Sequence, residues 1–569
     1  MEKLLILSLV FAPLAFAAVE PWALALLQLA AFASVYRLFR DRVSLYPAAL
    51  YRNLLPALLA VALIGLLQAL RENPVNAPSA LIFTVWRPAT LNAILLWLFY
   101  AAVVFVVPQI IRAPEQFKRL MWTVFGMGVL LSLFGMFQAS GENALIYGAR
   151  YVKGEPFGPF INRDHAATFL IMSAMAGCGV FVSGFRDMLS GRSRRRFFDL
   201  AAIQLLKSVM LCAVVYGVVR TGSRGGLHSL VCAFSLMAFV SASFLRDRTA
   251  RLAARSGLVF FLAVYGLILY NNRLLLGYAE GDLVRSVTVR FSMYRSGLEM
   301  LRDFPLFGVG LGAVEHAFHA YRYSDIPSWG FVRHLHSDWL ELFVQSGLVG
   351  GLIYLAGFAL ALSGLARVWL NCPSFTVKSL YGGALGAVLA ASLHNLVEFG
   401  SQMPANALVF YVLIGALASK PAAEPRKFRY DAEDEEEGGI RIRKNIALPL
   451  AAASALLAVF TIPSVVAWAR DAYAKNASYA ERVKSHAAAL AWDPSPRYAF
   501  RLGADHYNAA LKNKAEARAL FTKSLDAITP VLLRNPVNSD LQKIRKNIFY
   551  HLSALPPAPR LPDSRPRTP

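Results

Sequence analysis

The octapeptide His334-Leu335-His336-Ser337-Asp338-Trp339-Leu340-Glu341 sets two histidines, two acids and a tryptophan where a polar stretch meets an apolar one, which runs on through Gly347-Leu348-Val349-Gly350. Ionisable groups at such a border are costly unless they are used. Three chemistries suit them. A metal site needs a third ligand at the right spacing, and residues two apart do not converge on one helix face. A helix start would use Asp338 as N-cap and Glu341 as its reciprocal partner. A general base must take a proton near neutral pH, which imidazole does without extreme tuning, and His336 is preferred to His334 for that role.

Other stretches carry the charge that such a base would work against. Arg220-Thr221-Gly222-Ser223-Arg224-Gly225-Gly226 is a short hinge between two apolar runs. Glycine lets backbone amides approach a phosphate and arginine offers it a forked donor, although both arginines are also placed to snorkel to lipid headgroups. Residues 271–338 hold seven arginines and no lysine, among them Arg290 and Arg295, a preference that suits oxyanions. Within them Phe291, Tyr294, Leu298 and Leu301 recur at helical spacing, predicting an amphipathic helix at a membrane surface. Gly308-Val309-Gly310-Leu311-Gly312 lacks the Lys-Ser/Thr of a nucleotide-binding loop and is read as a flexible turn. Gly158–His165 bends a loop and ends in Arg163, Asp164 and His165, with Asp164 a candidate N-cap. His394, Glu398 and Asn406 sit between two late apolar runs, where lining a cavity and plain polar packing account for them equally well.

The elements that must position these groups are membrane helices. Of 569 residues 56% are hydrophobic and 16% charged, and the mean hydropathy is +0.46, so an all-α polytopic membrane protein is expected. The net charge of +23 falls largely in short loops, which orients membrane helices and argues against nucleic acid. Four cysteines show neither zinc spacing nor a disulfide framework. About 13 spans are predicted, from Leu4–Val19, read as a span in preference to a cleaved signal peptide, to Ile446–Ala469. The arginine-rich loops 37–52, 112–119, 186–196 and 246–255 share one side, the cytoplasmic one, which sends every polar constellation above to the opposite face. The domain plan is a core over 1–419 with an external loop 271–338, a charged linker 420–445, a last span 446–469, an external helical domain 470–555, and a disordered tail 556–569 with six prolines. Ala491-Trp492-Asp493-Pro494, Tyr498, Leu502-Gly503, Tyr507-Asn508, Ala515 and Ala519 resemble degenerate tetratricopeptide repeats, a scaffold suited to a protein partner.

Taken in order, Ser223-Arg224-Gly225-Gly226, Arg290, Asp303-Phe304-Pro305-Leu306-Phe307-Gly308-Val309-Gly310-Leu311-Gly312, then His336-Ser337 and Gly347-Leu348-Val349-Gly350 resemble the motifs of the O-antigen ligase and polymerase superfamily. The resemblance covers roughly Phe117–Ser419, and Asp164 and Ala166 depart from its pattern. It implies a multi-pass protein of the bacterial inner membrane, acting on the periplasmic face without metal or other cofactor. The implied reaction is an inverting glycosyl transfer from an undecaprenyl-diphosphate-linked glycan to a hydroxyl of lipid A–core, of a growing glycan or of another acceptor. By analogy Arg224 and Arg290 hold the diphosphate, with Arg220 and Arg295 as further candidates. His336 takes the acceptor proton and Glu341 orients it, while Arg163, His165, His334 and His394 bind substrate. Within the superfamily, ligase or polymerase is preferred to protein O-oligosaccharyltransferase. A lipid-linked glycan flippase fits the many spans, but it calls for interrupted helices at the midplane and internal repeats, and the sequence shows neither convincingly.

Overall fold

A computed structural model describes residues 1–40, 48–73, 79–139, 145–148, 150, 154–185, 188, 194–270, 280–324, 326, 332–419, 459, 461–475, 477–535 and 538–555. The charged linker, most of the expected last span and the proline-rich tail lie outside these residues. The described residues form helices, with three isolated bridges and no strand. They divide into two compact units, Met1–Glu72 with Ala77–Ile462, and Asn73–Asn76 with Pro463–Pro569.

The first unit contains α1 (Glu2–Leu14), α2 (Pro21–Arg40), α3 (Leu54–Ala69), α4 (Arg87–Ile110), α5 (Pro114–Ala139), α6 (Arg163–Ser183), α7 (Arg194–Arg220), α8 (Arg224–Ala242), α9 (Arg248–Tyr270), α10 (Glu280–Asp303), α11 (Val314–Phe318), α12 (Asp338–Leu370), α13 (Phe375–His394) and α14 (Pro404–Ala418). Among the described residues nine helices are long and apolar enough to cross a membrane, and α3 and α14 are shorter apolar helices. The expected run Leu4–Val19 breaks early, because α1 stops at Leu14 and Phe16, Ala17 and Ala18 all take left-handed backbone angles. Burial sorts the helices. All fifteen residues of α14 are buried, which suits a helix apolar on every side. In contrast, α9 exposes Val259, Phe260 and Leu267, an apolar face suited to lipid.

The α12 helix is broken, a feature that continuous hydropathy hides. Gly347 has φ +66°, and the turn that follows α10 plugs the break. Leu348 N–H donates to Pro305 O at 2.8 Å and Val349 N–H to Leu306 O at 3.2 Å, while Val309 N–H donates to Val344 O at 2.9 Å. Only glycine fits at 347, since a Cβ there would stand 2.1 Å from Leu306 O. The segment Gly308–Gly312, expected to be a flexible turn, is therefore a buried wedge: Val309 and Leu311 are inaccessible, and Gln68 accepts from Leu311 N–H at 3.0 Å. It locks the first two turns of α12, which carry Asp338 and Glu341.

The second unit holds α15 (Ile462–Ala474), α16 (Tyr479–Trp492), α17 (Pro496–Lys512), α18 (Ala517–Arg534) and α19 (Ser539–Ala554). Residues 463–469, expected at the end of the last span, lie in α15 and are grouped with this unit. Ser478 and Glu481 form a reciprocal capping box at the start of α16. Tyr498, Leu502 and Gly503 of the repeat-like pattern are buried along α17, with Ser524 of α18 donating to Gly503 O at 2.6 Å.

Candidate active site

Helix ends of the first unit converge at one place. The N-termini of α6, α8, α12 and α14 meet the C-termini of α7 and α13, tied by cross-bonds: Asn406 to His165 O at 3.0 Å, Trp339 to Ser392 O at 3.0 Å, and Asp338 N–H to Asn395 O at 3.0 Å. N-terminal helix ends present unpaired N–H groups and partial positive charge, which favours an anionic ligand. The caps differ from the sequence expectation. Asn162, rather than Asp164, caps α6 by accepting from Asp164 N–H. Ser337, rather than Asp338, caps α12, because its extended backbone aims the hydroxyl at Leu340 N–H. Asp338 instead accepts from Ser401 N–H at 2.7 Å.

A cavity of about 740 Å³ opens among these ends, lined by Arg163 and Asp164 of α6, Arg224 of α8, Arg290 of α10, and His394 and Glu398 beyond α13. A second cavity of about 260 Å³ is lined by His165, His334, His336, Arg333, Asn162 and Phe399, with Met293 and Met403. Neighbouring residues Glu398 and Phe399 thus belong one to each. Phe399 packs against three imidazoles: His334 stacks on it at 4.5 Å, and His165 and His336 meet it at 4.5 and 4.8 Å with their planes near perpendicular.

His336 is held on every side. Its φ of +53° is rare for a residue with a Cβ, although His is among those that tolerate it. Tyr294 of α10 donates to its carbonyl at 2.9 Å. The buried Leu335 beside it packs under Gly297, where a Cβ would come within 2.8 Å of Leu335 Cδ1, so α10 can approach the loop closely. Such a strained and over-determined backbone is a feature of functional sites.

The carboxylates are distributed differently from the sequence expectation. Glu341, expected to orient His336, is fully buried and accepts from His334 Nδ1 at 2.8 Å, Leu335 N–H at 2.8 Å and Gln345 at 2.8 Å. The left-handed turn at His336 brings His334, not His336, back over the first turn of α12. Burial alone would lower the His334 pKa, but the Glu341 carboxylate more than offsets it, and the net shift is upward. The acid facing His336 is Glu398, with Oε1 3.0 Å from Nδ1. The same carboxylate lies 3.3 Å from Arg290 through Oε2 and 3.9 Å from His165 Nε2, and Arg290 also stands 3.8 Å from Asp164. The sequence marks Glu398 only as one of several polar residues between two late apolar runs, since it faces His336 and Arg290 only once α10, α12 and α13 are assembled.

The remaining predicted residues divide. Arg163 lines the larger cavity and pairs with Glu155. His394 lines it too, but its ring nitrogens bracket two helices, 2.9 Å from Thr168 of α6 and 3.5 Å from Ser223 at the start of α8. Arg220 is exposed at the end of α7 and lines neither cavity. Arg295 faces away from both, 3.7 Å from Glu299 and over the Tyr323 ring. On α10 the expected apolar set also splits: Phe291 and Leu298 are exposed, and Met293 and Met300 are the residues buried against the core.

Residues 209–355 match the family model described as O-antigen ligase. No curated protein matches the chain. Four solved chains match, among them one from the structure described as "Structural coordination of polymerization and crosslinking by a peptidoglycan synthase complex", at 15% identity, with 65% of this chain and 98% of that chain covered and a TM-score of 0.32. The matched residues contain the Ser223–Gly226 turn, Arg290, the Gly308–Gly312 wedge, His336 and the break at Gly347, so this stretch of the multi-pass membrane protein is similar to the O-antigen ligase family in the same residues that carry the sequence resemblance.

Proposed function

We propose that this protein transfers a glycan from undecaprenyl diphosphate to an acceptor hydroxyl, as a ligase or polymerase of surface polysaccharide in the bacterial inner membrane, on the periplasmic face. The observation that carries the proposal is the single cavity lined by Arg163, Arg224 and Arg290, with Glu398 on its wall in contact with His336. A diphosphate leaving group develops charge that fixed cations must stabilise, and these arginines supply it beside two helix N-termini. Arg224 and Arg290 hold the diphosphate, and His336 removes the acceptor proton. Glu341 acts at one remove, pinning the loop through His334 and Leu335. The acceptor approaches through the smaller cavity, where the half-buried His336 lies beside Arg333 and Asn162. The external helical unit is read as a surface for a protein partner.

The test is glycan transfer by membranes carrying His336→Ala or Arg290→Ala at confirmed expression. Loss of transfer supports the mechanism, and transfer at the native rate in either variant rejects it. Activity is expected to survive EDTA. Deletion of the gene then separates the acceptors: unattached polysaccharide indicates a ligase, a single repeat unit a polymerase, and loss of glycan from protein alone an oligosaccharyltransferase.

A further inference from the structure

Glu398 is 1% exposed, yet its two oxygens are divided between two groups with different tasks. Oε1 faces His336, the proposed base, and Oε2 faces Arg290, the proposed diphosphate holder, so any coupling between the two rests on that functional reading. Burial alone would push this carboxyl toward its neutral form. His336, His165 and Arg290 outweigh burial and hold it below the ordinary carboxylate range, so Glu398 is an anion throughout the working pH range.

We propose that Glu398 is a positioning residue that couples donor binding to the base, competing through Oε2 with the donor diphosphate for Arg290 while orienting His336 through Oε1 and stabilising the imidazolium formed in the transfer. In the transfer step the acceptor oxygen bonds to the anomeric carbon as the bond from that carbon to the diphosphate breaks. The bonding pair leaves on undecaprenyl diphosphate, and the hydroxyl proton passes to His336 Nε2. Glu398 takes no proton; it faces Nδ1 and stabilises the imidazolium, as a buried acid does in a catalytic triad. When diphosphate draws the Arg290 fork, Glu398 loses a cationic partner and its charge bears more fully on His336. The imidazolium that forms during the transfer is therefore best stabilised when a donor is seated. Thermodynamic linkage makes the effect reciprocal.

The groups facing this carboxylate come from several elements: His336 on the loop before α12, His165 and Asp164 on α6, Arg290 on α10 and His394 on α13, with His334 across the Phe399 ring. A purely structural Glu398 would hold this cluster together, and its loss would weaken binding and turnover alike. Coupling predicts opposite signs.

The experiment uses the full-length protein in nanodiscs with undecaprenyl diphosphate as the binding probe, beside turnover of a lipid-linked glycan. In Glu398→Gln, undecaprenyl diphosphate is expected to bind about fivefold more tightly or better, the lower end of ordinary coupling between sites. Turnover is expected to fall on the order of a hundredfold, and the ascending limb of the kcat/KM pH profile to move to lower pH. Glu398→Asp, which keeps the charge, restores native affinity. Asp164→Asn is a second arm that does not depend on the glutamine variant folding. Asp164 shares Arg290 but does not contact His336, so its loss should tighten binding and leave the pH profile in place. Weakened or unchanged binding in both Glu398→Gln and Asp164→Asn overturns the coupling. Arg290→Ala separates the two levels: native affinity there rejects the diphosphate reading itself, whereas weak binding there with Glu398→Gln unmoved rejects only the coupling.

Discussion

Each of the two units contains a buried cluster of carboxylate, histidine and arginine, and the two differ in what surrounds them. In the second unit Asp471 of α15, 1% exposed, lies 3.0 Å from Arg497 and 2.8 Å from Arg501. His486 of α16 stands 3.5 Å from Asp471 and 2.6 Å from Asp505, which meets Arg482 at 3.1 Å. Those charges fasten α15 and α16 to α17. In the first unit Glu398 gathers His336, His165 and Arg290 just as closely, but beside a cavity of about 740 Å³ and a strained histidine backbone. Residue types alone do not separate the fastener from the proposed catalytic cluster; open volume and strain do.

The largest effect that would break this contrast is on turnover. His336→Ala is expected to lower glycan transfer on the order of a thousandfold, within the range for loss of a general base, with little change in the thermal midpoint of the purified protein. A large drop in the midpoint would make His336 a fastener too. Asp471→Ala should do the reverse. Removing one partner from a buried charge cluster costs about 3 kcal/mol, seen as a lowered unfolding midpoint of the helical unit, while transfer by the surviving folded protein stays near native. The His334–Glu341 pair gives a smaller, pH-dependent effect. Its folded pKa is raised, so its stabilisation is full below the ordinary imidazole value of about 6.5 and is lost as pH rises through the raised value. The thermal midpoint should decline over that window, and His334→Gln should flatten the decline. The smallest effect belongs to Arg220→Ala and Arg295→Ala, which line neither cavity and should change the transfer rate by about twofold or less.

The sequence made the motif-bearing part of the candidate site legible because its residues lie in short runs with their own chemistry. Arg224 sits in a glycine turn, Arg290 in an arginine-only segment and His336 ahead of an apolar helix, and all three stand at the two cavities. The partner of His336 was illegible for a physical reason. Glu341 lies close in sequence, but a left-handed turn at His336 gives it to His334, and the acid that arrives, Glu398, comes from 62 residues downstream. The break at Gly347 was hidden because hydropathy does not register the backbone angle of one glycine. Hydropathy found the long helices but gave no warning that α1 stops at Leu14, or that α14 is enclosed by its neighbours.

The most direct measurement is the anomeric configuration of the new bond. A base that activates the acceptor for direct attack on the donor carbon inverts that carbon in one displacement. Purified protein given a lipid-linked glycan of known configuration, its product read by NMR, is predicted to yield the inverted linkage, with one undecaprenyl diphosphate released per bond formed. Retention of configuration would require a double displacement or attack from the leaving group's own face, and would contradict His336 as the base of a single back-side displacement.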